Sequence, residues 1–447
     1  MSDNIPEDVI VSILSKLPAK SLMRFRCVSR SWDRLITSSA FINRHLSSTN
    51  RTNNLLLFIV SECIFDPYFL YPGEHFPEIC GEELYCPFRS RETSSFGVKK
   101  VGSCRGVICL CDDTEGYFDR FTLWNPSIRR TVFVPEPTIT FRSHGRHITS
   151  QGFGYDSSSN DYKLVRLVYS SSIDIDYGKE PLPPLVEVYS LKSGSWRMVP
   201  SDVKLNLDRN KGCAFMNGAC HWLAHSWDLP GDRILSFDMS SEVFGEILIP
   251  DCVHSSGSFT DVADFGGYLT LVPSVLGNQL PIWVMKQYGN VESWTKLFTI
   301  NVEIDSEIDF LAFRKNGEIL FETILELYQL QLLSYDPNRE EFLDYCSFPA
   351  EGSLYVESLE ETLVLADEEN GVWDVDAYVS DASMDGSSNS SIVDAEEREN
   401  NEVLTMEDDS YTREAHIVMM DDVSDKDTNG VVPMEHSFTC EDAAQEE

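Results

Sequence analysis

The chain has 447 residues, of which 42% are apolar and 11% aromatic, and its 73 acidic and 35 basic residues give a formal net charge of −38. This length allows a large buried core and two or three domains. The charge disfavours nucleic acid as a partner, because a polyanion releases no counterions from phosphates. The longest apolar run, 55–60, is far shorter than the roughly 20 residues that cross a bilayer, so we expect no membrane partner.

The cysteines indicate a reducing compartment. The opening residues MSDNIPEDVI lack the basic segment and apolar run of a secretory leader. We therefore expect the cytoplasm, the nucleus or both, with the twelve cysteines as free thiols. Cys109 and Cys111 point to one face of a predicted strand, and we expect both in the core.

Four short helices are predicted in the first fifty residues. Apolar residues recur at steps of one and three, which is typical of one helix face. The predicted spans are 6–17, bounded by Pro6 and Pro18, then 19–27 and 29–36, and then a helix capped by Ser39. So small a unit cannot cover all its apolar surface, and we expect part of it to pack on another molecule.

These helices carry a family resemblance. The stretch IPEDVIVSILSKLPAKSLMRFRCVSRSWDRLITSSAFINRHL resembles an F-box, with the Pro-Glu-Asp opening, ILSKLPAKSL and CVSRSW in the expected places. It departs at Ile5, where the motif usually has leucine. The resemblance implies an F-box domain over residues 1–48 that docks on the Skp-type adaptor subunit of an SCF-type cullin-RING ubiquitin ligase, and through it on the cullin.

The resemblance also implies which side chains supply the apolar side of the adaptor contact. They are Ile5, Pro6, Val9, Ile13, Leu14, Leu17, Pro18 and Leu22. We expect Val28, Trp32 and Leu35 to hold the small bundle together instead.

Four arginines in the same helices, at positions 24, 26, 30 and 34, leave two interpretations open. Basic helices bind phosphates in some proteins, which would indicate nucleic acid. Alternatively, the arginines are solvated, their stems cover apolar surface, and their charges steer towards an acidic partner. The charge of the whole chain favours the second interpretation.

Beyond about residue 53, short runs rich in β-branched and aromatic residues alternate with turn residues, which predicts strands. Two kinds of hairpin recur with a period of about fifty residues. The first kind ends in proline at Pro135, Pro200, Pro250 and Pro349, and the second holds turns such as Asn217-Gly218 and Asn316-Gly317. Two hairpins per period make a four-stranded blade, so the pattern predicts a kelch-like β-propeller. Five blades are visible, and we expect 54–61 and 353–365 to join both chain ends in a sixth.

The β region also resembles the plant F-box-associated domain. LWNPSIRR, GFGYDSSSNDYKLVRL, VEVYSLKSGSWR, ILSFDMSSEVFGEI and IWVMKQYGNVESW follow the order of that family, and S-locus F-box and related F-box/kelch-type proteins are similar. The resemblance implies an F-box-associated, β-propeller-like domain over 53–366. The expected fold class is therefore a multi-domain α+β protein: a helical F-box, an all-β propeller and an acidic tail.

Motifs for catalysis or cofactor binding are missing from the β region. It contains no phosphate-binding glycine loop and no Gly-x-Ser-x-Gly elbow. The closest approach to a metal site consists of Cys213, Cys220, His221 and His225, with His144 and His147 elsewhere. Because no second closely spaced pair completes four ligands, we expect the two cysteines to be core residues and predict no metal, no cofactor and no catalytic residue.

The longer connections between strands are candidates for the surface that binds a partner. They are 61–95, 136–151, 171–184, 225–233 and 252–261. The first is rich in aromatic residues, which suit either a partner contact or packing against the edge of the ring. The sequence does not identify which loops bind.

Residues 367–447 hold 25 acidic and 3 basic residues, a net charge of −22. Without helix or strand periodicity, this composition predicts a disordered tail. Ser391, Thr405 and Ser424 each precede an acidic residue by three positions, a pattern of acid-directed kinases. A simple solubilising extension explains the composition equally well.

Three functions are compatible with these features. The leading one is a non-catalytic substrate-recognition subunit, which raises the concentration of an unknown target protein near the ubiquitin-transferring machinery. The second is a propeller enzyme that acts on a small molecule in its central channel. The third is a non-catalytic scaffold whose tail holds basic proteins without ubiquitin transfer.

Overall fold

The structure, a computed structural model, has helices at the N-terminus and antiparallel sheets in the rest of its described residues. These residues are 6–49, 53–60, 68–72, 82–84, 98–114, 118–145, 147–170, 182–207, 212–226, 232–257, 259–273, 279–302, 308–314, 316–325, 329–348 and 353–367. Ile5, Pro349 and all of the predicted tail after Asp367 lie outside them.

The four predicted helices are confirmed. They are α1 Glu7–Leu14, α2 Ala19–Phe25, α3 Arg30–Thr37 and α4 Ser39–Thr49. The first ends three residues earlier than predicted, because the Leu17 N–H turns to the Leu14 carbonyl at 3.0 Å. The cap of α4 is Ser38 rather than Ser39, since the Ser38 hydroxyl accepts a hydrogen bond from the Phe41 N–H at 3.3 Å. None of the helices in the described residues is long and apolar enough to cross a bilayer.

Six antiparallel sheets make up the described β region, and we number them as blades 1 to 6. Blade 1 contains β1 Asn53–Val60, β2 Tyr68–Pro72, β3 Glu82–Leu84 and the last strand, β25 Ser353–Glu360. Blade 2 contains β4 Val98–Cys104, β5 Val107–Thr114, β6 Phe118–Asn125 and β7 Arg130–Phe133. Blade 3 contains β8 His147–Asp156, β9 Asp161–Ser170, β10 Leu185–Ser190 and β11 Ser195–Val199.

The second half of the propeller repeats this plan. Blade 4 contains β12 Leu205–Leu207, β13 Ala214–Met216, β14 Ala219–Ser226, β15 Asp232–Asp238 and β16 Phe244–Leu248. Blade 5 contains β17 Phe259–Phe265, β18 Tyr268–Pro273, β19 Gln279–Met285 and β20 Trp294–Asn301. Blade 6 contains β21 Ile308–Phe313, β22 Ile319–Leu325, β23 Gln329–Asp336 and β24 Glu341–Phe348. Short helices lie between blades at α5 Phe141–His144 and α6 Asp251–His254, and a 3-10 turn, Val291–Ser293, precedes β20.

The predicted hairpins are confirmed in all five predicted blades, because strands that are adjacent in sequence pair as neighbours. Asn217 and Gly218 both have positive φ, 50° and 80°, as the tight turn between β13 and β14 requires. Pro135, Pro200 and Pro250 follow within two residues of the outer strands of blades 2, 3 and 4, as predicted for edge positions. Blade 4 differs in that two short strands, β12 and β13, share the neighbour β14.

The predicted sixth blade is also confirmed. Strand β25 pairs with β1 over eight residues, from Asn53↔Glu360 to Val60↔Ser353. The interpretation of 61–95 as a single long loop was wrong, because β2 and β3 lie within it and complete blade 1. The last described strand therefore supplies the innermost position of the first sheet.

The inner strands surround a central channel with a volume of about 1360 Å³, lined by β4, β17, β21 and β25 among others. Apolar clusters fill the spaces between neighbouring blades. The predicted core positions of Cys109 and Cys111 are confirmed in the cluster between blades 2 and 3, and burial raises the pKa of the Cys109 thiol. None of the following cysteines forms a disulfide: Cys27, Cys104, Cys109, Cys111, Cys213, Cys220 and Cys252.

One ion pair lies inside blade 3. Arg166 on β9 and Glu187 on β10 are register partners, and their side chains are 1% and 0% exposed. An Arg166 Nη1–H donates to Glu187 Oε1 at 2.6 Å and to the Ile139 carbonyl at 2.8 Å. The second Glu187 oxygen accepts the Thr138 N–H at 3.0 Å. The pair therefore anchors the connection between blades 2 and 3 to the sheet.

A second ionic group joins blades 3 and 4. Lys163 on β9 donates to Asp156 at 2.8 Å and to Glu242, in the turn before β16, at 2.9 Å. Burial opposes ionisation of Asp156, but the hydrogen bonds from Lys163, Ser159 and Ser158 outweigh it and hold the pKa of this carboxyl far below its usual range.

The Arg166–Glu187 pair predicts strong coupling between two substitutions. Glu187→Gln leaves a buried guanidinium without its counter-charge, so we expect a loss of about 3 kcal/mol in the free energy of unfolding by denaturant titration. Adding Arg166→Met to that variant removes the uncompensated charge, so we expect the double variant to recover part of the lost free energy of unfolding. Glu246→Gln, which breaks the more exposed pair with Arg233, should cost less than about 0.5 kcal/mol. Additive effects at positions 166 and 187 would contradict this account.

The Lys163 group predicts an acid-dependent stability. Because the folded-state pKa of Asp156 is lowered, its contribution is fully present above the unfolded-state pKa of about 4 and is lost as pH falls towards the folded-state value. We therefore expect Asp156→Asn to lower the melting temperature most at neutral pH, with the difference from wild type shrinking at more acidic pH. Thermal unfolding across pH measures this, and a difference independent of pH would contradict it.

Candidate functional site

The N-terminal helices are seated on the chain that follows the last strand. We call residues 361–367 the strap. Leu363 and Ala366 of the strap belong to one buried cluster with Leu14, Ala19, Leu22, Ile36 and Phe41 of the helices. Glu361 accepts the Ala19 N–H at 2.7 Å, which satisfies a free backbone donor in the first turn of α2. The strap therefore both follows the ring-closing strand and supports the helices.

Arg26 joins α2, α3 and the strap. Its Nε–H donates to Asp33 on α3 at 2.6 Å, one Nη group donates to the Ala366 carbonyl, and the other contacts Asp367 at 2.9 Å. The expectation of a solvated side chain was therefore wrong for Arg26, which is one fifth exposed. The other three arginines of the set, at 24, 30 and 34, are exposed as expected.

Helix α4 connects this bundle to the turns of the propeller. Asn43 accepts a hydrogen bond from Arg105 in the β4–β5 turn at 2.5 Å and donates to Asn160 in the β8–β9 turn at 3.2 Å. His45, fully buried, contacts the Leu17 carbonyl through Nε2 at 2.9 Å and stacks on Phe41. Burial lowers the pKa of His45, which keeps the imidazole neutral in the apolar cluster.

The predicted adaptor residues divide into two groups. Pro6, Val9, Ile13 and Pro18 are exposed, and we call them the adaptor strip. Leu14 and Leu22 are 2% and 0% exposed, and Leu17 is half-buried. The first two pack against the strap and offer no surface to a partner, so as described they belong to the core rather than to the strip.

The residues expected to hold the bundle together also divide. Trp32 and Leu35 pack against the buried cluster, and Trp32 meets Phe25 edge-on with ring centroids 5.9 Å apart. Val28, in contrast, is 61% exposed, so its predicted core position was wrong. The reason is that α2 ends at Phe25 and Val28 lies in the turn before α3, outside the helical stripe.

The helices lie on one particular face of the propeller. The connections inside the β4–β5, β6–β7 and β8–β9 hairpins are short, and their residues Arg105, Ile128 and Asn160 meet the helices. We call this side the turn face. Because antiparallel strands alternate in direction, the second-to-third strand connections and those between blades lie on the opposite side, the loop face.

Of the predicted binding loops, 171–184 and 225–233 lie mostly outside the described residues, between strands β9 and β10 and between β14 and β15. The loops 136–151 and 252–261 connect neighbouring blades and belong to the loop face by this strand order. They contain α5 and α6, which were not predicted; the cue for α5 is the Thr140–Ser143 capping pair. The described helical bundle and these loops therefore lie on opposite sides of the ring.

The histidines and cysteines considered as metal ligands are engaged elsewhere. His221 points to the Tyr288 hydroxyl at 2.6 Å and the Ala214 carbonyl at 3.2 Å, and burial lowers its pKa to about 4. His225 contacts Asp232 at 2.6 Å. Cys220 is fully buried between blades 3 and 4, as expected, and Cys213 packs against the same cluster. His144 and His147 bond to Ser143 and to Gly145. Within the described ranges, no three possible ligands come together.

Comparison with known proteins finds a matching domain family for the helical part of the chain and another for the β region. The F-box domain matches residues 2–44, and the F-box associated beta propeller domain matches residues 81–323. An F-box/kelch-repeat protein of Arabidopsis thaliana is 30% identical over 321 residues, covering 66% of this chain and 79% of that protein. A second Arabidopsis thaliana F-box protein is 30% identical over 385 residues, covering 76% and 87%.

Among solved structures, TolB from Acinetobacter baumannii matches 72% of this chain and 73% of its own, with a TM-score of 0.44 and 9% identity. That likeness is too distant to bear on function. The domain matches and the two relatives agree with the helices, the blades and their order along the chain. This chain therefore belongs to the F-box proteins that carry an F-box-associated β-propeller domain.

Proposed function

We propose that this protein is the substrate-recognition subunit of an SCF-type ubiquitin ligase, with the adaptor strip as its contact to a Skp-type adaptor. The observation that carries the proposal is the exposure of Val9 and Ile13, 44% and 54%, on a helix whose other side is seated on the strap. Large apolar side chains that are exposed one turn apart on the same side of a helix are typical of a surface that a partner covers. The subunit is non-catalytic in this role and acts through proximity.

The position of the helices supports separate binding roles for the two faces of the propeller. The adaptor strip lies on the bundle at the turn face, and the longer connections lie on the loop face. A target protein held at the loop face leaves the adaptor contact unobstructed. We therefore propose the loop face as the surface that binds the target.

The strip predicts the effect of one charge. Ile13→Asp places a carboxylate on an apolar contact, so we expect the affinity for a Skp-type adaptor to fall at least about 30-fold in a binding titration. Val243→Asp is the matched control, because Val243 is 61% exposed on blade 4 and should leave the affinity unchanged. Leu14→Asp is unsuitable, since it buries a charge in the bundle and unfolds it.

Two results, one from that titration and one from a ubiquitination assay, would contradict the proposal. One is undiminished adaptor binding by a folded Ile13→Asp protein. The other is adaptor binding without self-ubiquitination when the wild-type chain is combined with adaptor, cullin, RING subunit and ubiquitin-charged enzyme; that result would favour the scaffold.

The loop face predicts a separable loss of target recognition. Replacing 172–181 with a Gly/Ser segment of equal length keeps the length of the loop while removing its side chains. We expect this variant, or the same change at 227–231 or 274–278, to lose ubiquitinated target proteins in ubiquitin-remnant proteomics. Adaptor affinity and self-ubiquitination should stay at wild-type levels. An unchanged set of targets in all three variants would contradict the assignment of this face.

A further inference from the structure

The acidic tail begins at a defined point on the helical bundle. Asp367, the last described residue, contacts Arg26 Nη2 at 2.9 Å, and Arg26 Nε contacts Asp33 of α3 at 2.6 Å. The chain after 367 therefore starts beside α3.

An exposed basic surface adjoins this exit point. Asp33 and Arg34 follow Arg30 by three and four residues, so the three side chains lie on one side of α3. On this side, Asp33 contacts Arg26. Exposed Val28 lies in the turn before α3. We call Val28, Arg30 and Arg34 the arginine face.

The charge of the bundle is opposite to that of the tail. Residues 6–49 contain seven Lys/Arg and three Asp/Glu, a net charge of +4 in a chain of net charge −38. A positive surface in so negative a molecule attracts acidic segments, and the nearest one is tethered to it.

The first part of the tail has the chemistry that suits this face. Residues 368–381 read EENGVWDVDAYVSD, with five acidic residues and no basic one. Trp373 and Tyr378 stand among these acids, together with three valines. Carboxylates to pair with arginines and aromatic rings to cover an exposed valine thus occur in one short segment.

We propose that residues 368–381 dock on the arginine face, as an internal acidic partner of the F-box helices. The reach is sufficient, because fourteen extended residues span up to about 45 Å and an eight-residue helix such as α3 is about 12 Å long. Tethering at Asp367 gives the segment an effective concentration on the order of millimolar, so weak charge pairs suffice. The proposal does not depend on the proposed function, since the adaptor strip lies on α1 and the turn after it.

The exposed thiol of Cys27, between Arg26 and Val28, reports on docking in the full-length chain, and exposed Cys252 on α6 is an internal reference. We expect maleimide to modify Cys27 about threefold more slowly than in the variant E368Q/E369Q/D374N/D376N, which corresponds to a segment docked about two thirds of the time. Peptide mapping by mass spectrometry gives both rates. The Cys252 rate should be equal in the two proteins.

A matched control separates docking from general charge. D421N/D422N/D425N/D427N removes the same four charges from the distal tail and should leave Cys27 protected. R30E/R34E should remove the protection, and so should about 1 M salt, where the Debye length is about 3 Å.

The results that would overturn the proposal are specific. An equal Cys27 rate in wild type and in the 368–376 variant would exclude docking. An equal gain in rate from the distal variant would exclude residues 368–381 as the docking segment. Protection that survives both R30E/R34E and high salt would exclude the arginine face.

Discussion

The pairing of β25 with β1 is the constraint on which the rest of the structure depends. It closes the ring, and its last register pair, Asn53↔Glu360, delivers the chain directly to the strap. The β4–β5 turn lies so close that a Cβ on Gly106, whose φ is +77°, would meet the Glu360 carbonyl at 2.1 Å. Ring closure and the seat of the F-box helices are therefore built from one continuous piece of chain, 353–367, against which the β4–β5 turn packs.

The elements could be predicted from local patterns, whereas their burial depended on distant partners. Strand alternation and turn residues were enough to identify ten hairpins and the closing sheet. The apolar stripe on α1 could also be recognised from the sequence. Its periodicity, however, does not show which of its side chains another segment of the chain buries. Leu14 is buried by strap residues, and Arg26 bonds to Ala366, 340 positions away. No spacing rule within the first fifty residues contains that information.

Charged residues inside the blades escaped sequence reasoning for a related reason. Arg166, Glu187 and Lys163 stand in strands where their charge alone suggests solvent-facing positions. Their partners come from neighbouring strands, from a connection between blades and from the next blade. In a ring of packed sheets both faces of the middle strands are covered, so a polar residue there is retained only with its counter-charge and hydrogen bonds.

The order of synthesis gives the closing strand a further consequence. The F-box helices and β1 leave the ribosome first, yet the strand and strap that complete them come about 300 residues later, roughly 15 to 60 s at ordinary elongation rates. During that interval the nascent chain exposes the apolar side of its helices and an open sheet edge. Any product that stops before residue 353 keeps that state permanently, so premature termination yields a polypeptide that quality-control chaperones would recognise, whatever its remaining blades achieve.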